Sequence, residues 1–179
     1  MKTLFQLKAL SLFACAFLVS SVAFAQKTAK PILSPRDSVS GTIKGAEIKI
    51  NYGSPSVRER KIFGGLEPYG KIWRAGANMM TTFQTSKDIK VEGQTLPAGK
   101  YSLFATPGET EWKIIFNSVS NVWGIKRDGS ANDDPAKDVL AVTVKAKKLS
   151  DPVERLIYKI NKNGFSLIWE NTEVPVKVK

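Results

Sequence analysis

From residue 46 to the end of the chain, apolar and polar positions alternate with a period of two. Ile48, Ile50 and Tyr52 fall opposite Glu47, Lys49 and Asn51, and Trp112, Ile114 and Phe116 interleave with Lys113, Ile115 and Asn117. Leu140, Val142 and Val144 repeat the pattern, followed by Leu156, Tyr158 and Ile160 and then Phe165, Leu167 and Trp169. A strand sends successive side chains to opposite faces, so each run predicts a strand buried on one side. The punctuation agrees. Glu92-Gly93-Gln94 separates two short runs, Leu96-Pro97-Ala98-Gly99 fits a type I turn, and Asn163-Gly164 fits a type I′ hairpin. No segment carries a capped helical stripe outside the N-terminus. Short strands with turn signals at close intervals predict an all-β domain, a single antiparallel β-sandwich of about nine or ten strands.

The first residues follow a different pattern. Lys2 and Lys8 precede an uncharged apolar run from Ala9 to Val19, and Ala23-Phe24-Ala25 is a small-x-small site. This is the form of a secretory leader cleaved after Ala25. The apolar run is shorter than the ~20 residues of a membrane span, so no transmembrane segment is expected after cleavage. Lipoprotein processing at Cys15 fits less well, because Phe13 lies just upstream and the apolar run before Cys15 is very short. A secreted, periplasmic or envelope location follows as the expectation. Gln26 to Ser40 is polar and contains two prolines, so residues 26–40 read as an irregular lead-in and residues 41–179 as the sandwich domain.

Composition narrows the chemistry. The chain contains no histidine, and its one cysteine lies in the leader. Histidine-based triads and the usual nitrogen and sulfur metal ligands are thereby excluded. No cofactor and no metal are expected. Asp128-Gly129-Ser130-Ala131-Asn132-Asp133-Asp134 begins like a calcium loop, but Asp133 stands at the glycine position and Val139 at the final glutamate position. The formal net charge is +11, and +9 without Lys2 and Lys8. Such a balance attracts anionic partners, while scattered lysines also protect sheet edges from strand addition. Nucleic acid is not expected, since no aromatic-basic recognition motif is present.

The segment Pro68 to Asn78 mixes aromatic, guanidinium and carboxamide groups with small residues. If Arg58 to Ile62 is extended, Arg58 and Arg60 share a face and offer two planar forks to an oxyanion. Arg74 follows Trp73 and precedes Gly76, and Asn78 can both donate and accept. Tyr69, Trp73 and Trp123 offer flat faces to sugar rings, although tryptophan in a small β-domain more often fills the core. The candidate ligand-binding set is Arg58, Arg60, Tyr69, Trp73, Arg74, Asn78 and Trp123, for a small anionic molecule or a glycan. Two alternatives stand beside this binding module. One is a hydrolase pairing Glu67 or Asp88 with arginine; the other is an envelope interaction protein that uses its basic surface.

Several blocks carry a family likeness: Tyr52-Gly53-Ser54-Pro55-Ser56 with Arg58, Arg60 and Ile62-Phe63-Gly64; Pro68-Tyr69-Gly70, Trp73-Arg74 and Gly76-Ala77-Asn78; Leu96 to Phe104; Trp112 to Asn117; Trp123-Gly124; and Trp169-Glu170. Together they resemble a secreted bacterial family known as domain of unknown function 2911 (DUF2911), found mostly among Bacteroidetes, and the likeness runs over residues 31 to 178. It implies a β-rich envelope protein and no particular activity. The family tends to carry a tyrosine soon after the Trp-Gly pair, where this chain has Ile125-Lys126-Arg127. Leu96-Pro97-Ala98-Gly99-Lys100-Tyr101 also resembles the strand turns of prealbumin-like sandwiches, so a jelly-roll or prealbumin-like topology is the expectation.

Overall fold

The computed structural model describes residues 32–119 and 123–179. The leader reading of residues 1–25 and the alternative at Cys15 lie outside the described residues. Among the described residues no helix is long and apolar enough to cross a membrane.

Among the described residues ten strands form: β1 (Arg36–Ile43), β2 (Ala46–Gly53), β3 (Thr82–Thr85), β4 (Ile89–Val91), β5 (Gln94–Leu96), β6 (Gly99–Thr106), β7 (Glu111–Asn117), β8 (Asp138–Lys145), β9 (Lys147–Asn161) and β10 (Gly164–Lys177). The protein is all-β, as its alternation predicts. Six strands make one antiparallel sheet in the order β1-β2-β3-β6-β7-β8. β9 and β10 pair with each other, as do β4 and β5. β10 bends at Glu170, which has φ +53, and its register against β9 shifts on both sides of that residue. Its end returns beside its start, where the N–H of Val178 donates to the carbonyl of Asn163 at 2.8 Å. Beyond β10, Lys179 and Lys90 exchange backbone bonds of 2.9 and 2.8 Å, which joins the β4–β5 hairpin to this second layer.

The core follows from register. Ile50 opposes Phe83, Phe83 opposes Tyr101, Leu103 opposes Phe116, and Phe116 opposes Leu140, so one row of apolar side chains runs across the sheet. This face packs with Leu156, Tyr158, Phe165, Leu167 and Trp169 of β9 and β10. The outer face is covered in part. Phe104 and Ile115 of the sheet pack with Met80 and Ala131 in a second, smaller cluster, with Ile72 and Ala141 at its margin. Loop residues thus lie against the outer face, and they belong to the segments that carry the candidate site.

Two local expectations are corrected. Residues 36–40 are not lead-in but the first half of β1. Only Ile43 of that strand is buried, because β1 is a sheet edge, and so no apolar alternation marks it. The Asn163-Gly164 pair does not form the expected type I′ turn. The residues between the strands are Lys162 and Asn163, neither of which has positive φ, and the Asn163 N–H donates to the Asn161 side chain at 2.8 Å. The two-residue turns with positive φ at both positions are Lys44-Gly45 (49° and 80°) and Glu92-Gly93 (47° and 89°). In both, a non-glycine residue accepts the left-handed conformation so that the turn matches the strand twist.

The connection from Ser54 to Thr81 carries no strand, and connections this long are uncommon without a purpose. It is tied down throughout. The Ser54 hydroxyl donates to the Leu156 carbonyl at 2.7 Å, and the Tyr158 hydroxyl donates to the Ala75 carbonyl at 2.8 Å. Gly53 lets the connection close on itself, since a β-carbon there would stand 2.0 Å from the Ala77 carbonyl oxygen. Trp73 is 3 % exposed and packs between Phe63 and Trp169, stacked on the latter at 5.9 Å. Trp73→Ala should therefore lower the free energy of unfolding by about 3–5 kcal/mol in urea denaturation, the usual loss for a buried tryptophan.

Candidate functional site

Trp73 and Ala105 exchange both backbone bonds, at 2.7 and 2.9 Å, as paired strand residues do. β3 ends its pairing with β6 at Thr82–Ser102, and this bridge continues the sheet beyond it. Strand alternation then decides where the neighbours go. Trp73 shares the inner face with Ala105, while Ile72 and Arg74 are sent to the outer one. After Arg74 the chain reverses through left-handed Ala75 (φ +51) and Asn78 (φ +63).

Arg74 runs beneath the segment that begins at Trp123. Gly124 donates its N–H to the Asn78 carbonyl at 3.2 Å, and a β-carbon on Gly124 would stand 2.2 Å from Arg74 Cδ. No other residue type lets this loop approach so closely. The buried Nε of Arg74 has no hydrogen-bond partner, and the guanidinium makes no hydrogen bond or ion pair among the described residues. Burial lowers the pKa of Arg74, against the attraction of Glu67.

Glu67 is the complementary group. Burial raises its pKa from the usual carboxylate value of 4.5 to about 7, and the charge of Arg74 opposes that rise without cancelling it. Its backbone is fixed by the N–H bond to Ile62 O at 2.9 Å and by accepting from Gly64 N–H at 3.0 Å. Its carboxylate accepts no hydrogen bond among the described residues. Lys126 and Asp133 close to ion-pair distance, 3.8 Å apart, and no such pair joins Glu67 to Arg74. Glu67 and Arg74 therefore feel each other's charge without touching.

The rim is apolar. Trp123 is 51 % exposed and Met79 40 % exposed, and their backbones form a bridge. Asn132 holds this arrangement by donating its side-chain amide to the Trp123 carbonyl at 3.0 Å. Leu66 and Tyr69, which flank Glu67 in sequence, are exposed as well. Leu66, Met79 and Trp123 thus expose apolar surface on the loops that carry Glu67 and Arg74 or cover them.

The sequence candidates separate into groups. Arg74, Asn78 and Trp123 come together. Asn78 uses its amide N–H to hold the Ser34 carbonyl at 3.0 Å, so it braces the incoming chain. Arg58 and Arg60 do not form a shared cationic face. Arg58 and Glu59 have φ of +49 and +58, so the segment turns where an extended strand was expected, and the two-residue alternation no longer applies. Arg58 donates to the Leu33 carbonyl at 2.9 Å, and Arg60 donates to the carbonyls of Val57 and Ser56 at 2.9 and 2.7 Å. Trp73 is core rather than a ligand surface. Tyr69 borders a different cleft of about 280 Å³, with Trp112, Lys147 and Asn171 among its walls. Of the carboxylates proposed for a hydrolase, Glu67 faces an arginine, whereas Asp88 accepts the Ala98 N–H at 2.8 Å and makes no pairing with one. The acids of the calcium-like stretch are engaged locally: Asp128 with Ser130, Asp133 with Lys126, and Asp134 with the Ala136 N–H.

Glu67 should leave a signature in stability. In the unfolded chain it loses its proton near 4.5, and in the folded chain near 7. Between these values the folded state binds more protons, so stability falls as pH rises through this window and levels off above it. The loss is on the order of 3 kcal/mol. Glu67→Gln should flatten the dependence and exceed the wild type in stability at pH 8. Urea titrations at pH 5, 6, 7 and 8 measure this, and an unchanged slope in the variant rules out Glu67 as its source.

Comparison with known proteins places the chain in a family. Searches against curated proteins and against solved structures return no match. A family model described as "Protein of unknown function (DUF2911)" matches residues 34–178, which include every residue of the site. The chain belongs to that family.

Proposed function

We propose that this protein binds a small acidic saccharide at Glu67 and Arg74, with Trp123 as the apolar wall. The observation that carries the reading is the pairing of two partly buried, oppositely charged groups that neither touch nor find other partners among the described residues. An unpaired buried donor costs about 1–3 kcal/mol. A ligand that supplies an anionic oxygen to the outer guanidinium nitrogens of Arg74 and a hydroxyl to Glu67 gives both charged ends a partner. The carboxylate of a uronic acid accepts from the Arg74 fork, and a ring hydroxyl donates to Glu67. The exposed indole of Trp123 suits the apolar face of a sugar ring. The leader-like N-terminus supports the same reading, since an exported chain meets acidic glycans.

One observation also favours a chemical role. A carboxyl group that titrates near neutrality beside a guanidinium can exchange protons with a bound substrate. Glu67→Gln separates the readings. It abolishes turnover of a uronic-acid glycoside if the protein is an enzyme, and leaves no turnover to abolish if it only binds.

Calorimetry with glucuronate and short uronic-acid oligomers tests the proposal, with glucose as the partner lacking an anion. Glucuronate should bind at least about tenfold more tightly than glucose, roughly 1.4 kcal/mol. Arg74→Gln should erase that preference, and Trp123→Ala should weaken both ligands. Arg60→Gln, which alters only a loop brace, should change neither. Equal affinity for glucose and glucuronate, or an unaffected Arg74→Gln variant, rejects the assignment.

A further inference from the structure

The β1–β2 turn, the β9–β10 turn and the end of β10 meet around a second cleft, of about 560 Å³, lined by Lys44, Asn163, Lys177, Val178 and Lys179. We propose that this cleft binds a phosphate-bearing ligand, either a free polyphosphate or the phosphate of a lipid headgroup.

The backbone here is firmly held. Val178 is 1 % exposed, and its N–H bonds Asn163 O at 2.8 Å. Lys177 and Lys179 stand on either side of it in sequence, so an extended chain points both away from the face that Val178 buries. The two bonds between Lys179 and Lys90 fix that direction. Lys44 enters from the tight turn it shares with Gly45, where both residues have positive φ. Lys87 adds a further ammonium, with Nζ 3.6 Å from where a β-carbon on Gly45 would stand. These lysines come from three separate parts of the chain, and none of them is in an ion pair among the described residues.

The neighbouring acid, Glu92, adds one negative charge but forms no ion pair with these lysines among the described residues. The Glu92 carboxylate accepts the Lys177 backbone N–H at 2.6 Å, so it is engaged with main chain and not with an ammonium. Lysine ammoniums are compact charges with freely rotating donors, unlike the planar fork that matches a single carboxylate. Several converging from different segments suit a compact anion with more than one charge. Asn163 lines the cleft too, and its amide is an uncharged donor. If the lysines only guarded the sheet edge against strand addition, binding would not saturate, and lysines elsewhere would matter equally.

The test compares wild type with Lys44→Gln/Lys177→Gln/Lys179→Gln and with a control of equal charge loss, Lys113→Gln/Lys145→Gln/Lys147→Gln. Thermal unfolding first checks that all three proteins are folded. Calorimetry uses tripolyphosphate at low salt, and sedimentation uses vesicles of phosphatidylcholine with and without phosphatidylglycerol. Wild type should bind saturably and lose affinity as salt rises. The cleft variant should bind at least about tenfold more weakly, while the control stays within about twofold of wild type. Binding of tripolyphosphate alone identifies free phosphate as the source, and binding of phosphatidylglycerol vesicles alone identifies the headgroup; either supports the proposal. Absence of both, or an equal loss in the control, overturns it. Neither variant touches Glu67 or Arg74, so this outcome is independent of saccharide binding there.

Discussion

The two backbone bonds between Trp73 and Ala105 are the constraint on which the site depends. They turn one residue of a long connection into a continuation of the six-stranded sheet. Once Trp73 occupies that position, its indole must enter the core, where Phe63 and Trp169 receive it. Arg74 must then emerge on the opposite face, against which loop residues pack. A loop free to choose its own path would have put the guanidinium in water, where hydration outweighs any burial.

This placement leaves Arg74 in an expensive environment. Its Nε is sealed from solvent without a partner, and Glu67 lies within reach of its field but beyond contact. Two such groups would ordinarily collapse into an ion pair if their backbones were free to move. They are not. Tyr158 and Thr81 both donate to the Ala75 carbonyl, at 2.8 and 3.0 Å, immediately after Arg74. The loop of Glu67 is held by its own backbone bonds and by Ile62 N–H to Glu170 at 3.2 Å. Groups kept apart by rigid surroundings are pre-organised, and a ligand that fits between them bears less ordering cost on binding.

The strands with one buried face were legible in the sequence because burial writes a period of two into it. β2 and β8 carry that mark along their length and β9 carries it around Leu156 and Tyr158, whereas the second half of β7 and the first half of β10 are buried on both faces. β1 lacks it, since an edge strand buries little, and prolines before it make it resemble a tether. The site was legible only as a mixture of residue types. Sequence spacing placed Arg58 and Arg60 on one face, but the left-handed pair Arg58-Glu59 breaks the alternation on which that inference rests. Trp73 and Trp123 look alike in sequence, yet one is 3 % and the other 51 % exposed, a difference set by a bridge to distant Ala105. Met79 escaped notice, and Gly124 entered only as half of the Trp123-Gly124 pair of the family likeness. The Gly next to Trp123 was the available signal, as glycine marks a close approach whose partner, Arg74, only the fold identifies.

The most direct measurement is the ¹⁵N and ¹H resonance of the Arg74 Nε–H group, followed while glucuronate is added. In the free protein this proton should be protected from exchange by burial and show no coupling to a carboxylate. Its resonance should then move saturably with glucuronate and stay in place with glucose. A resonance already bonded to Glu67 in the free protein, or one that ignores glucuronate while other residues respond, contradicts a ligand seat between these two charges.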